Sequence, residues 1–154
     1  MDYVTVKWLH ILSSTLLFGT GIGSAFYLLF ATLSRDIRAI AVVTRHVVLA
    51  DWLFTATTAV LQPLTGYYLM KLAGIPFHTR WIMWSFALYG LAIACWLPVV
   101  WLQMRLRDLA NAAARDNTAL PAHYWRYFKA WVLLGLPAFF AFLAVFYLMV
   151  AKPA

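Results

Sequence analysis

The sequence predicts an all-α protein: a four-transmembrane-helix antiparallel bundle with both termini on the outer (periplasmic) side. Three observations predict it. Apolar residues make up 65% of the 154 and charged residues 11%, whereas a soluble domain carries about 25% charged residues. Four apolar stretches, 8–33, 47–72, 81–102 and 131–150, each reach the roughly 20 residues that a helix needs to cross hydrocarbon. Backbone amides in lipid find partners only within their own segment, so each stretch is a helix. The chain 1–154 reads as one integral membrane domain with helices at about 4–33, 37–73, 80–115 and 122–151.

The elements follow in order. The first apolar run is far longer than the roughly 7–15-residue apolar region of a signal peptide, so it is read as a retained helix. The polar Leu33-Ser34-Arg35-Asp36 closes it, and Ser34 or Asp36 can cap the second helix. Gly74-Ile75-Pro76 ends the second helix, and Thr79 can cap the third. Asp116-Asn117-Thr118 ends the third, and Pro121 suits the first turn of the fourth. Residues 37–46, 103–115 and 123–129 continue three helices past the bilayer at one end; the second of these is rich in the helix formers Ala, Leu and Arg. Pro63, Pro98 and Pro137 fall inside spans, where each removes a helix hydrogen bond and favours a kink.

Charge sets the orientation. There are 12 Lys and Arg against five acidic residues, all Asp. Arg35, Arg38, Arg45, Arg105, Arg107, Arg115, Arg126 and Lys129 lie at one end; Lys7, Lys71, Arg80 and Lys152 lie at the other. The excess makes the first end cytoplasmic. No soluble surface remains for a basic face, which excludes nucleic acid as a partner. Cys95 has no CxxC companion and reads as packing. No HExxH, Walker A loop or GxSxG is present, so nothing supports a hydrolase, an ATPase or a structural zinc site.

Polar residues inside spans face the bundle interior, because hydrocarbon penalises them. At about 100° per residue, Thr44, Asp51, Thr55, Thr58, Gln62, Thr65 and Leu69 form one stripe on the second helix. Asp51, the one carboxylate well inside a span, must be protonated or paired. Tyr27, Gln103, Arg107 and Lys129 are the partners at its depth. It reads equally as a structural ion pair and as a proton-handling group.

On the first helix, His10, Ser14, Leu17, Gly21 and Ser24 share a face, and Gly19 and Gly23 form a GxxxG on the opposite one. An imidazole beside a missing side chain suits a flat macrocycle, although a membrane His is more often hydrogen-bonded than metal-bound. Trp81, Ser85, Tyr89, Ala92, Trp96 and Gln103 face inward on the third helix, as core or as the wall of a porphyrin or quinone pocket. At the outer end Lys7, His10, Gln62, Thr65, Tyr68, His78, Arg80, Trp81 and Tyr147 fall at similar depth. Lys7, His10, Ser14, Gly21, Gln62, Thr65, His78, Arg80 and Trp81 are the candidate cofactor site, with His10 as an iron ligand, His78 as a candidate second, and Lys7 or Arg80 toward propionates.

Several motifs together carry a resemblance. Lys7-Trp8-Leu9-His10, Gly19 to Gly23, Asp51, Gln62-Pro63-Leu64-Thr65-Gly66, Trp96-Leu97-Pro98-Val99-Val100 with Gln103, Leu120-Pro121 and Gly135-Leu136-Pro137-Ala138-Phe139 run through nearly the whole chain. In these the chain resembles a bacterial family of predicted four-helix integral membrane proteins of unknown function (DUF2269-like). That resemblance implies a multi-pass protein of the bacterial inner (cytoplasmic) membrane. The Lys-x-x-His start of the first helix, with the glycines after it, is also similar to HemJ-type protoporphyrinogen oxidases and to CopD-type membrane domains. The HemJ resemblance implies haem b at His10. That family carries a Lys one turn beyond a later Trp-Leu-His segment. Phe77-His78-Thr79-Arg80-Trp81 stands there in this chain without such a Lys, so the resemblance implies haem binding rather than the oxidase reaction.

The functional expectation is a haem b-binding, redox-associated membrane protein linked to a quinone or porphyrinogen. Its partners are the lipid bilayer, a quinone or porphyrin, and a membrane protein or a second copy. The alternatives are a non-catalytic subunit or assembly factor of a larger complex, and a small proton-linked transporter using Asp51. The orientation has a direct test. In a Cys95→Ser background, an impermeant maleimide is expected to label Gly74→Cys in intact cells and Asn117→Cys only after permeabilisation; the reverse pattern inverts the topology.

Overall fold

The structure, a computed structural model, describes residues 2–153. It consists of four helices: α1 (Tyr3–Ser34), α2 (Ile37–Leu72), α3 (Arg80–Asp116) and α4 (Ala122–Ala151). No strand occurs among the described residues. All four are long and apolar enough to cross a membrane. At about 1.5 Å per residue even the shortest outruns a hydrocarbon core of about 30 Å.

Local chemistry closes each helix. Asp2 caps α1 by accepting from the Thr5 amide at 2.7 Å; the hydrogen bonds from Thr5 hold its carboxyl below the usual carboxylate range. Asp36 caps α2, accepting from the amides of Arg38 at 2.9 Å and Ala39 at 3.1 Å. Ser34 assists from outside, its hydroxyl accepting from the Asp36 amide at 3.2 Å. After α2, Gly74 takes φ +64°, a left-handed turn that costs glycine no Cβ clash. Two sequence-derived assignments change. Thr79 occupies the N-cap of α3, but its hydroxyl donates to the Pro76 carbonyl at 2.7 Å instead of accepting from the helix. Pro121 stands at the N-cap of α4 rather than inside its first turn.

The helices run alternately up and down through short turns, so both chain ends share the end that carries the Gly74 loop. α3 packs against α2 and α4, and α1 packs against α2. α1 and α4 meet across the fourth side through aromatic rings. Phe18 of α1 lies 5.8, 6.3 and 5.1 Å from the rings of Phe139, Phe142 and Phe146.

The tightest packing sits toward the Arg-rich end. Leu28, Ile40, Leu106 and Tyr124 are fully buried there, with Phe128 and Trp131 against them. The Thr32 and Tyr124 hydroxyls, both fully buried, hydrogen-bond at 3.0 Å and tie α1 to α4. Along the spans, large apolar side chains such as Trp84, Leu97, Leu133 and Phe140 are exposed, as lipid-facing residues are. The close contact expected at Gly19 and Gly23 is not made within this chain: nothing lies within 4 Å of a Cβ built on either.

α2 has one irregular turn, a π-helical segment at Asp51–Thr55 in which the Ala56 amide bonds the Asp51 carbonyl. Such wide turns re-aim side chains and recur at functional sites.

The Thr32–Tyr124 tie is testable by unfolding in detergent. Thr32→Val leaves a fully buried phenol without a partner and is expected to cost about 1–3 kcal/mol. Tyr124→Phe is expected to cost less, because the Thr32 hydroxyl can turn to a carbonyl of its own helix.

Candidate functional site

Two polar centres lie at different depths of the bundle. The first opens on a cavity of about 410 Å³ where α1, α2, α3 and α4 come together. Its walls are apolar: Leu17, Phe18, Gly21, Phe139 and Phe142 contribute to them. Asp51, Thr55 and Gln103 give it a polar side. Asp51 lies four residues inside the second span, roughly 6 Å from its Arg-rich border. Gln103 directly follows the third span and Trp131 opens the fourth, so the cavity's polar end lies near that border.

The π-helical turn supplies the polar side. The Thr55 hydroxyl donates to Asp51 Oδ1 at 3.0 Å, and the Gln103 and Trp96 side chains lie beside the same carboxyl. Four buried side-chain atoms have no hydrogen-bond partner among the described residues: Asp51 Oδ2, Trp96 Nε1, Gln103 Oε1 and Trp131 Nε1. All four belong to residues lining this cavity. A buried polar group without a partner is rare and calls for an explanation. The four, two donors and two acceptors, are buried in the walls of one apolar cavity, with the Trp96 indole beside the Asp51 carboxyl.

The ion pair considered for Asp51 does not form. Tyr27 is exposed, Lys129 is exposed, and Arg107 instead bonds Asp108, Nη2 to Oδ1 at 2.8 Å. That is the one salt bridge among the described residues. Of the partners expected for Asp51, only Gln103 lies beside it, and the one hydrogen bond the carboxyl makes is to Thr55.

The second centre is His10, held between α1 and α2. Its Nδ1 lies 2.8 Å from Thr65 Oγ1 and its Nε2 lies 3.2 Å from Gln62 Nε2. The Gln62 carbonyl oxygen accepts from the Ser13 hydroxyl, and Thr65 donates to the Leu61 carbonyl at 2.7 Å. The directions close consistently. The Gln62 amide donates to His10 Nε2, so the imidazole carries its proton on Nδ1 and donates to Thr65. Gly66 permits the approach: a Cβ there would stand 3.2 Å from His10 Cε1.

This placement decides the candidate residues one by one. His10, Gln62 and Thr65 come together; Ser14 does not join them, its hydroxyl donating to the Ile11 carbonyl at 2.8 Å. Ser13 stands in its place, missed because both serines lie within about 60° of His10 on the helical wheel and only the position of α2 chooses between them. Lys7 lies over the Tyr3 ring, and Trp81 lies under the Lys152 ammonium at 5.9 Å. His78 and Arg80 are exposed. Gly21 faces the cavity. Asp51, Thr55, Thr58 and Gln103 are all buried, none more than 5% exposed. Among the described residues no three His, Cys, Asp or Glu side chains gather to hold a metal ion.

Haem b with His10 as axial ligand needs one ring nitrogen free and open space before it. Both nitrogens are engaged, Gly66 closes on the ring carbon between them, and His10 does not line the cavity. The residues at His10, arranged this way, do not fit that group.

Comparison with known proteins adds one finding. A family model described as "Predicted integral membrane protein (DUF2269)" matches residues 4–153. No curated protein matches the chain, and no solved structure does.

The His10 clamp predicts an asymmetry. Gln62→Leu strips a partner from both His10 and Ser13 and is expected to lower stability in detergent by about 1–3 kcal/mol. ¹⁵N shifts of labelled histidine are expected to show the Nδ1-protonated tautomer of His10; the Nε2-protonated form would contradict the assigned network.

Proposed function

The chain belongs to the DUF2269 family of predicted integral membrane proteins, and on that premise we propose a redox-associated role: binding a flat, lipid-soluble ring of the quinone class in the Asp51 cavity. The observation that carries this reading is the set of four unpartnered polar atoms around an otherwise apolar cavity. The two indole N–H groups of Trp96 and Trp131 suit the carbonyl oxygens of an oxidised ring. Asp51 Oδ2 and Gln103 Oε1 suit the hydroxyls of its reduced form. The oxidised ring pairs only the two donors, whereas the hydroxyls of the reduced ring can donate to the two acceptors and accept from the indoles, so the reduced ring satisfies all four atoms. The aromatic walls suit the ring and an isoprenoid tail, which can leave between α1 and α4. The setting would be the cytoplasmic membrane of a bacterium, with the Arg-rich end inward.

Haem b remains the narrower form of the redox reading. It requires His10 to release Gln62 or Thr65 before iron can bind. A Soret band that accompanies the purified protein and vanishes in His10→Ala would support it; haem-supplied preparations without such a band would remove haem and leave the quinone-class ligand.

A second reading, a small subunit or assembly factor, draws on the unpartnered Gly19–Gly23 face of α1, where another helix can approach closely. A mass in mild detergent equal to a lone chain would count against it.

The ligand test uses the tryptophans that line the cavity. Titrating a short-chain ubiquinone or menaquinone analogue into the detergent-solubilised protein is expected to quench their fluorescence saturably. Trp131→Phe and Gln103→Leu each remove one hydrogen bond and are expected to weaken binding about 3–10-fold. Linear, unsaturable quenching that is identical in both variants would sink the quinone reading.

A further inference from the structure

Beyond the bilayer, at the Arg-rich end, α2 and α3 enclose a groove of about 640 Å³ that the ring-binding role does not use. Arg38 and Arg45 line it from α2, and Arg115 lines it from α3. Because α2 and α3 run in opposite directions, Arg38 and Arg115 stand at the far end of the groove. Arg45, seven residues along α2, stands roughly 10 Å nearer the membrane. Between these guanidiniums the floor is Ala41 and Ala114, side chains too short to fill the space. The Asn111 amide also faces the groove.

The charge of this groove is not balanced within the chain. Its one carboxylate, Asp108, gives Oδ1 to Arg107, whose Nε lies at 3.0 Å and Nη2 at 2.8 Å. The Arg107–Asp108 pair is the one salt bridge among the described residues, so Arg38, Arg45 and Arg115 have no carboxylate within ion-pair distance. Three like charges around one groove repel one another unless an anion sits between them. Guanidinium forks match the tetrahedral oxygens of phosphate, and each such contact is charge-assisted.

We propose that the α2–α3 groove is a phosphate-binding site, taking the phosphate of an anionic lipid headgroup or of a soluble phosphorylated compound between Arg38, Arg45 and Arg115. Arg45 lies two residues before the second span and is level with lipid phosphates; Arg38 and Arg115 reach on into water. The site is independent of the Asp51 cavity.

The test uses the full chain in nanodiscs of phosphatidylcholine alone and has two arms. Fluorescent phosphatidylglycerol is offered in the membrane, and inorganic pyrophosphate is offered in solution. Saturable binding in the first arm identifies a headgroup as the source; saturable binding in the second identifies a soluble phosphate. In either arm Arg38→Gln with Arg115→Gln is expected to weaken binding about tenfold or more, the loss of two charge-assisted contacts. Asp108→Asn is expected to tighten binding, and Arg126→Gln, outside the groove, to leave it unchanged. Helical circular dichroism checks that the exposed-site variants fold. No saturable binding in either arm, or equal binding by the double variant, or equal loss in Arg126→Gln, overturns the proposal.

Discussion

Hydrocarbon supplies no hydrogen bonds, and the architecture of this chain follows from that one lack. Each backbone must satisfy itself within its helix, and each polar side chain must find another or face a cavity. Almost every buried polar group obeys. Thr44 and Thr58 turn back to carbonyls of their own helix. His10 spends both nitrogens on Gln62 and Thr65. Thr32 and Tyr124 satisfy each other. Against that background, four polar atoms left bare around a single cavity carry functional weight.

The same constraint separates the two ends of the bundle. Past the Arg-rich border water drives apolar faces together, and there the core of Ile40, Leu106 and Tyr124 closes, reaching back into the first span at Leu28. Within lipid, tails are as apolar as leucine and offer helices no such drive. Packing is looser there, α1 and α4 touch mainly through Phe18 and its ring partners, and room is left for the cavity. The cavity's polar side lies where the tight core gives way to the lipid-facing region. The π-helical turn in α2 occurs at that same level and carries Asp51 and Thr55 into it.

The His10 centre and the Asp51 centre divide the labour of the polar stripe on α2. Near the Gly74 end, Gln62 and Thr65 lock α1 in register through an imidazole whose hydrogen bonds are complete. Deeper along the same stripe, Asp51 is only half satisfied: Thr55 bonds one oxygen, and the Gln103 and Trp96 side chains lie beside the carboxyl without completing a hydrogen bond to the other. A saturated network holds structure; the unsaturated one lies in the wall of the cavity.

Much of this was legible in the sequence. Hydrophobic length fixed four helices, because hydrocarbon thickness sets a minimum that composition alone reveals. The 3.6-residue period put Asp51, Thr55, Thr58, Gln62 and Thr65 on one inward face. What the sequence could not decide was which inward residues meet. Period gives the face of one helix but not the rotation of its neighbour, so Ser14 was read in place of Ser13. An ion pair for Asp51 was considered where Arg107 turns to Asp108. A flat face beside His10 suggested a macrocycle in the outer half, whereas the cavity opens near Asp51. Only the packing of α2 against α1 closes one space and leaves the other. The orphaned indole and amide atoms likewise exist only in three dimensions, since a polar atom is unpartnered only once every neighbour has been placed.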